Sequence, residues 1–494
     1  GRGAARSFFG GGIWTDRPRT ILLAAAEERC ALTSDVPNND LRSEVLDDLY
    51  SSSDLSLVMP RYTFPPTEHD PKHAFAVVRD ELMLDGNARQ NLATFCQTWV
   101  DDEIGQLMAL SIDKNMIDKD EYPQTAAIEE SCWRMLADLW HAPDPAKSIG
   151  TSTIGSSEAC MLAGLALKRR WQHARRAAGK PVDRPNLIMS SAVQVCWEKF
   201  CNYWDVEPRF VPISEEHPVL DGSGLDALVD ENTIGVVAIM GVTYTGMYEP
   251  VAKIAAVLDA IQKERGLDIP IHVDGASGAM VAPFLQPDLE WDFRLERVHS
   301  INTSGHKYGL VYPGLGWVVW RSEDLLPDDL IFRVSYLGGQ MPTFALNFSR
   351  PGAQVLLQYY VFLRLGRTGF RAVQSDSRAV AMHLAHGIAE IGAFTLWNDG
   401  SDIPVFAWRL TAGHTENWTL YDLQDRLRMR GWLVPAYPMP DDLGDHVVQR
   451  IVVRNGLSMD LADRLLADIR TETAFLDALT APMPTDRPRP GFHH

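Results

Sequence analysis

Short apolar runs alternate with stretches of helical period along most of this chain. The runs fall at residues 187–189, 235–240, 269–274, 298–301 and 314–320. Their spacing, about 20 to 50 residues with helical stretches between, predicts a largely parallel sheet joined by crossover helices. Beyond about residue 375 the elements become fewer and longer. Residues 403–410 and 447–453 read as strands, and 419–430 and 458–479 as helices, with Ser458 as an N-cap and acidic Asp460 in the first turn. That is a small α+β domain. Ahead of the alternating region, residues 1–39 have no clear period, 40–51 read as a short acidic amphipathic helix, and 60–71 form a Pro-rich link. The expected organisation is an N-terminal leader and helical segment over 1–88, a large α/β domain over 89–375, and a small C-terminal domain with a mobile Pro-rich tail over 376–494.

Composition narrows the function classes. With 494 residues and 46% hydrophobic content, the chain can bury a large core. A net charge of -19, with no run of lysine and arginine interleaved with aromatics, removes nucleic acid as an expected partner. An anionic substrate would need locally placed donors. Six cysteines in so long a chain make no disulfide framework, and a reducing cytoplasm fits better. Cys196 and Cys201 are close, but no second pair or histidine pair completes a zinc pattern, so buried thiols are expected and no metal. The longest apolar run near the start, residues 21–26, stops at Glu27-Glu28-Arg29; it reads as a leader, and no stable membrane insertion is expected.

The candidate chemistry lies at the ends of the apolar runs. Lys307 follows one run in Ser304-Gly305-His306-Lys307, thirty-three residues after Asp274, which ends another in Ile271-His272-Val273-Asp274. Gly155-Ser156-Ser157-Glu158 opens an apolar-periodic helix, where free N–H groups and the dipole face an anion. Each has an ordinary reading by itself: a solvated lysine, a strand-end turn, a helix cap. Together they provide a lysine for a Schiff base, an anion for a ring nitrogen and an anchor for a phosphate. Those are the needs of a pyridoxal phosphate (PLP) enzyme.

Longer motifs extend this. Residues 153–159 (Thr-Ile-Gly-Ser-Ser-Glu-Ala), His272-Val273-Asp274, residues 304–310 (Ser-Gly-His-Lys-Tyr-Gly-Leu), residues 84–87 through Gln97-Thr98-Trp99, residues 231–235 and Tyr336-Leu337-Gly338-Gly339-Gln340 closely resemble glutamate decarboxylase of the bacterial and plant type. The resemblance runs from about Asp40 to near the C-terminus. It implies a fold-type I PLP enzyme that converts L-glutamate to γ-aminobutyrate and carbon dioxide, favoured at acid pH, cytoplasmic and linked to acid resistance. Position by position, it implies that Lys307 holds the cofactor as a Schiff base, that Asp274 pairs with the pyridine nitrogen and that Gln194 lies against the ring. Ser156, Ser157 and His306 match phosphate contacts, with Thr243 and Ser277 also near the cofactor and Ser349 reaching it from a neighbouring subunit. Thr94, Phe95, Asn115 and Asp118 match the pocket for the distal carboxylate, and Arg450 the arginine near the α-carboxylate. Asp118 beside a substrate carboxylate is tolerable if the two share a proton. Reprotonation is implied for Lys307, His306 or a loop acid, and Tyr336 and Leu337 match a mobile closing loop over 334–340. A shared site implies at least a homodimer, and relatives that join dimers into hexamers make a hexamer the larger alternative. His493 and His494 resemble near-terminal histidines that gate the site at neutral pH, with a disordered tail as the alternative.

Some positions depart from the pattern. Gly275 stands where the family usually has alanine, and Ala279-Met280 replace a common Gly-Phe pair, which is expected to loosen packing beside the ring. The tail lacks a basic, Trp-containing calmodulin target. The competing readings are a PLP-dependent decarboxylase of another amino acid, a nucleotide-binding α/β enzyme and a silent binding protein with the same fold. The absence of an early Gly-x-Gly-x-x-Gly disfavours the second, and retention of Lys307 and Asp274 the third.

Overall fold

The computed structural model describes residues 62–334 and 341–483. The chain divides into two units, residues 1–85 and 86–494. In the first, the described helix is α1 (Pro71–Leu82), whose N-cap Asp70 accepts hydrogen bonds from the Lys72 and His73 backbone N–H groups. The expected helix at 40–51, the apolar run at 21–26, the closing loop with Tyr336 and Leu337, and His493 and His494 lie outside the described residues.

The second unit carries a sheet of β1 (Ile149–Thr153), β2 (Asn186–Ser190), β3 (Glu207–Val211), β4 (Thr233–Ile239), β5 (Ile271–Asp274), β6 (Val298–Thr303) and β7 (Gly316–Trp320). Their order is β1-β7-β6-β5-β4-β2-β3. Strands β3, β2, β4, β5 and β6 are parallel, and β7 is antiparallel to both neighbours. The strand ends β1, β2, β4, β5 and β6 therefore meet at one edge, where open α/β sheets bind ligands. Expected runs start late where the backbone forbids pairing. Pro270 has no N–H, so β5 begins at Ile271, and Gly314 turns with φ +113° just before β7. Two strands carry no apolar signature. β1 is Ile-Gly-Thr-Ser-Thr because Trp133 packs on it: a Cβ at Gly150 would come within 2.9 Å of the Trp133 Cβ. β3 is an edge strand containing Pro208 and exposed Glu207.

Ahead of the strands run α2 (Asp102–Ser111) and α3 (Pro123–Leu139), and between the strands α4 (Ser156–Ala177), α5 (Val195–Tyr203), α6 (Leu225–Leu228), α7 (Val251–Arg265) and α8 (Ala282–Leu285). They cover a core that buries Trp140, Trp197, Trp291, Trp317 and Trp320. β8 (Phe332–Val334) and β9 (Met341–Thr343) pair antiparallel. The long α9 (Ala353–Ala389) then kinks at Gly366, whose φ of 55° and ψ of -168° are not helical. It begins in the large core with Val355 and Leu357 and ends in the second core with Leu384 and Ile388. The expected boundary at residues 375–376 thus falls inside a helix, with no linker there.

The C-terminal part is an antiparallel sheet in the order β10-β11-β13-β12, made of β10 (Phe394–Leu396), β11 (Val405–Leu410), β12 (Ala436–Pro438) and β13 (Val447–Val452), with α10 (Leu420–Met429) and α11 (Met459–Asp477). Ser458 caps α11 by accepting from the Leu461 N–H. Leu92 belongs to this core as well, so the segment after residue 86 packs on the small domain while leading into the large one.

Candidate functional site

A cavity of about 200 Å³ opens at the shared strand edge. Its wall brings together Gly155, Ser156, Ser157, Gln194, Gly241, Thr243, Asp274, Ser277, Ser304, His306 and Lys307, which are far apart in sequence. Ser156 and Ser157 are the first residues of α4, a 22-residue helix whose unpaired N–H groups face an anion-sized space. The Ser156 and Ser304 hydroxyls lie 2.6 Å apart, tying the helix start to the turn that carries Lys307. Glu158 braces the turn before the helix instead: one carboxylate oxygen accepts from the Ile154 N–H at 2.8 Å and the other from the Leu346 N–H at 2.9 Å. Gly155 must be small, because a Cβ there would come within 3.1 Å of the His306 ring.

His306 accepts the Leu315 N–H at Nδ1, 3.2 Å away, which leaves Nε2 to carry the ring proton. Burial, and then the adjacent Lys307 ammonium, push this imidazole down to about 4, so it is a neutral donor over most of the acid range. Lys307 Nζ sits 5.0 Å from the Phe95 ring centroid, and the Arg450 guanidinium approaches that ring at 4.8 Å. Phe95 is therefore in contact with two cations.

Asp274 is buried at the end of β5 and is saturated with donors. Trp197 Nε1 donates to Oδ2 at 2.9 Å, with the Cys160 thiol 3.6 Å away; Asn302 Nδ2 and the Ala276 N–H donate to Oδ1 at 3.2 and 3.1 Å. Behind it, Asn302 Oδ1 meets His272 Nε2 at 2.7 Å, and His272 Nδ1 meets the Ser300 hydroxyl at 2.8 Å. Burial lowers His272 to about 4, against the pull of Asp274. A neutral His272 donating to Asn302 Oδ1 fixes the amide so that its NH₂ faces the carboxylate. Sequence reasoning passed over Trp197, Asn302 and Cys160. Cys160 lies four residues after Ser156 on one helix face, a readable signal, whereas Asn302 is brought opposite Asp274 only by strand register.

The remaining candidates divide in two. Phe95 and Arg450 touch the cavity's lining, Phe95 at Lys307 and Arg450 at Thr243, while the hydroxyl of neighbouring Thr94 accepts the Cys96 N–H at 3.2 Å; Arg450, buried, donates to the Thr243 and Ala93 carbonyls and leaves Nε without a partner. Asn115, Asp118 and Ser349 instead form their own exposed-edge cluster. Asn115 Nδ2 donates to Asp118 at 3.0 Å and lies 3.5 Å from the Ser349 hydroxyl, and none of the three lines the cavity of its own chain. Arg350 pins this strap to the core. It pairs with buried Glu129 at 3.0 Å, and Glu129 also accepts the Ser152 N–H at 2.9 Å. Burial pushes the Glu129 carboxyl up, but Arg350 and Ser152 more than offset it and leave it below its usual value.

The residues present fit PLP: hydroxyls and a helix start for a phosphate, a lysine amine for an aldehyde, a buried carboxylate for a ring nitrogen, and a cavity of matching order of size. Comparison with known proteins agrees with the geometry. Residues 66–411 match the pyridoxal-dependent decarboxylase conserved domain. Glutamate decarboxylase of Aliivibrio fischeri is 55% identical over 433 residues, covering 87% of this chain and 93% of that protein. Glutamate decarboxylase beta of Listeria monocytogenes is 48% identical over 431 residues, 87% of this chain and 93% of its own. The solved glutamate decarboxylase of Lactobacillus brevis superposes with a TM-score of 0.84 at 47% identity, covering 87% of this chain and 98% of its own.

Proposed function

Because the chain belongs to the pyridoxal-dependent decarboxylase family, we propose that it removes the α-carboxyl group of L-glutamate to give γ-aminobutyrate and carbon dioxide. The observation that carries the substrate is the buried Arg450 guanidinium, 4.8 Å from the Phe95 ring and with Nε unpartnered, beside a cavity with the PLP donor set. When bound, the cofactor supplies an electron sink for the pair released as the carboxyl group leaves.

The protein's own residues do the rest. Ser156, Ser157 and the α4 N-terminus would hold the phosphate, with His306 and Lys307 on the same cavity wall. Asp274, held by its donors, faces the ring nitrogen; Gln194, whose side chain accepts the Cys196 N–H at 2.6 Å, is fixed as a wall of the cavity. Arg450 takes the α-carboxylate, its planar fork suited to a bidentate grip. Lys307 and neutral His306 are the groups placed to return a proton to Cα, and each turnover consumes one proton from the medium, which supports a part in acid resistance. The Asn115, Asp118 and Ser349 cluster, remote from its own cavity, serves the cavity of a second copy, so the working unit is at least a dimer. Five described cysteines are free thiols, which suits a reducing cytoplasm, and no described helix is long and apolar enough to cross a membrane.

The test is the visible spectrum of purified protein with PLP, followed by addition of L-glutamate and assay of γ-aminobutyrate, with Lys307→Ala alongside. A cofactor band lost in the variant, with product from the wild type, is the expected result. A band with no product removes glutamate as the substrate, and no band removes the cofactor as well. A mixture of Lys307→Ala and Ser349→Ala subunits should regain activity if the site is shared, and should stay silent if it is not.

A further inference from the structure

Cys160, Cys196 and Asp274 approach one another beneath the cavity from three rigid elements: α4, the first turn of α5 and the end of β5. All three are buried, and their two sulfurs and a carboxylate oxygen lie within 4.8 Å of one another. The Cys160 Sγ to Asp274 Oδ2 separation is 3.6 Å. A tetrahedral ion with metal–sulfur bonds of about 2.3 Å and metal–oxygen bonds of about 2.0–2.2 Å holds such ligand atoms about 3.5 Å apart, so side chains need move only slightly to enclose one. Cys196 and Asp274 also line the cavity, which leaves a fourth ligand position open to water and gives the ion a path in. Cys201, the partner suggested by sequence proximity, is outside this group.

We propose that, in the cofactor-free protein, Cys160, Cys196 and Asp274 bind one soft divalent cation of the Zn²⁺ or Cd²⁺ type, and that this cation and PLP exclude each other. Two sulfur ligands select soft ions over Mg²⁺ or Ca²⁺. On binding, each thiol releases its proton to solvent, the carboxylate adds as it stands, and no electron moves. The bound group has a formal charge of -1, with the Lys307 amine on the same cavity wall. Exclusion follows because the ion draws on the Asp274 carboxylate that the ring nitrogen needs. That second half rests on the functional reading above; the binding itself does not.

Reduced protein freed of PLP is titrated with Cd²⁺, following the ultraviolet thiolate-to-cadmium charge-transfer band, and then challenged with PLP while the cofactor's visible band is recorded. One ion per protomer is expected, with Cys160→Ala and Cys196→Ala each weakening binding by about tenfold or more, as loss of a ligand exceeds the usual cost of losing an outer partner. Cofactor loading should slow in proportion to bound Cd²⁺ and recover with a chelator. An unchanged charge-transfer band in the double variant overturns the site. Should a variant fail to fold, cadmium NMR of the wild-type protein decides in its place: a shift for two thiolate ligands supports the site, and a shift for oxygen and nitrogen ligands alone overturns it. Binding through both cysteines with unhindered PLP loading overturns the exclusion, without touching the decarboxylase assay.

Discussion

A methyl group added at residue 275 tests how tightly the segment behind the ring site is packed. A Cβ there would lie 2.4 Å from the Ala279 Cβ, 3.0 Å from the Asn302 carbonyl oxygen and 3.3 Å from the Ala279 nitrogen. Carbon atoms settle at about 3.5–4.0 Å, so more than an ångström must open. Little can yield. Gly275 N–H donates to Asn302 O at 3.1 Å, Ala279 N–H donates to Gly275 O at 3.1 Å, and Trp140 Nε1 donates to Ala279 O at 2.9 Å. Overpacking of this kind costs about 1–3 kcal/mol, and Gly275→Ala should fall in the middle of that range. Ala279→Gly should cost about 1 kcal/mol for its buried methyl and added backbone freedom. The two methyls compete for one space, so the double variant should be no less stable than Ala279→Gly alone, a coupling of about 1–3 kcal/mol. Urea unfolding of the four proteins without cofactor measures this. Losses that simply add, or a Gly275→Ala protein within about 0.5 kcal/mol of wild type, would refute the packing argument. The sequence departures at 275 and 279 are then a single compensated exchange: the expected loosening is absent, because the Ala279 methyl fills the space that Gly275 vacates.

Four other outcomes follow from the same geometry. Asn302→Leu removes a donor from Asp274 and should weaken PLP binding about tenfold, from a lost hydrogen bond of about 1–1.5 kcal/mol; unchanged affinity in a cofactor titration would dismiss the Asn302–His272 support. Arg450→Met should lower kcat/KM for glutamate by about 2–4 kcal/mol in transition-state terms, and a loss below about threefold in steady-state kinetics removes it from the substrate. Glu129→Gln breaks the buried pair with Arg350 and should cost about 3–5 kcal/mol in unfolding, while a neutral result would show the strap is held otherwise. Stability should also fall from pH 6.5 toward 5. His272, His299 and His306, lowered to about 4 chiefly by burial, take up protons only on unfolding in this window, whereas Glu249, raised by burial to about 8, is already protonated in the fold and opposes them. A net uptake approaching two protons gives a slope of at most about 2.7 kcal/mol per pH unit, and urea midpoints that are flat or rise toward pH 5 would contradict the sign.

How much of this was legible beforehand depended on which physical signal each part leaves. Central strands covered on both faces are largely apolar, so parallel β2, β4, β5 and β6 and antiparallel β7 announced themselves. β1 did not, because its role is to let Trp133 close in, and that selects glycine and hydroxyl residues. The cofactor set was readable because chemistry fixes residue types at strand ends and at one helix start. The supports behind it were not: Trp197 and Asn302 reach Asp274 through strand and helix placement, and nothing in the local spacing distinguishes them from ordinary core residues. Asn115 and Asp118 were read with Thr94 and Phe95 as one carboxylate pocket and Ser349 as a neighbouring subunit's contribution, but the fold gathers Asn115, Asp118 and Ser349 into one cluster that does not line their own cavity, a grouping visible only in three dimensions.

The charge pattern closes the argument about substrate. A chain of net charge -19 would repel a dicarboxylate at long range, so attraction has to be built locally and shielded from solvent. Arg450 and Arg454 are both buried, and among the described residues neither has a carboxylate within ion-pair distance. Burying an unpaired cation is costly, and each arginine offsets that cost differently. Arg454 is committed to structure: it donates to the Cys96, Ala88 and Asn91 carbonyls and to the Thr98 hydroxyl, strapping residues 88–98 against the small domain. Both arginines leave Nε unpartnered, but Arg450 donates to only two carbonyls, against three carbonyls and a hydroxyl for Arg454, and lies against the Phe95 and Tyr437 rings. Its desolvation is therefore only partly compensated until an anion arrives. The segment that Arg454 straps down is the one carrying Thr94 and Phe95, so Arg454 holds in position the ring against which Arg450 rests.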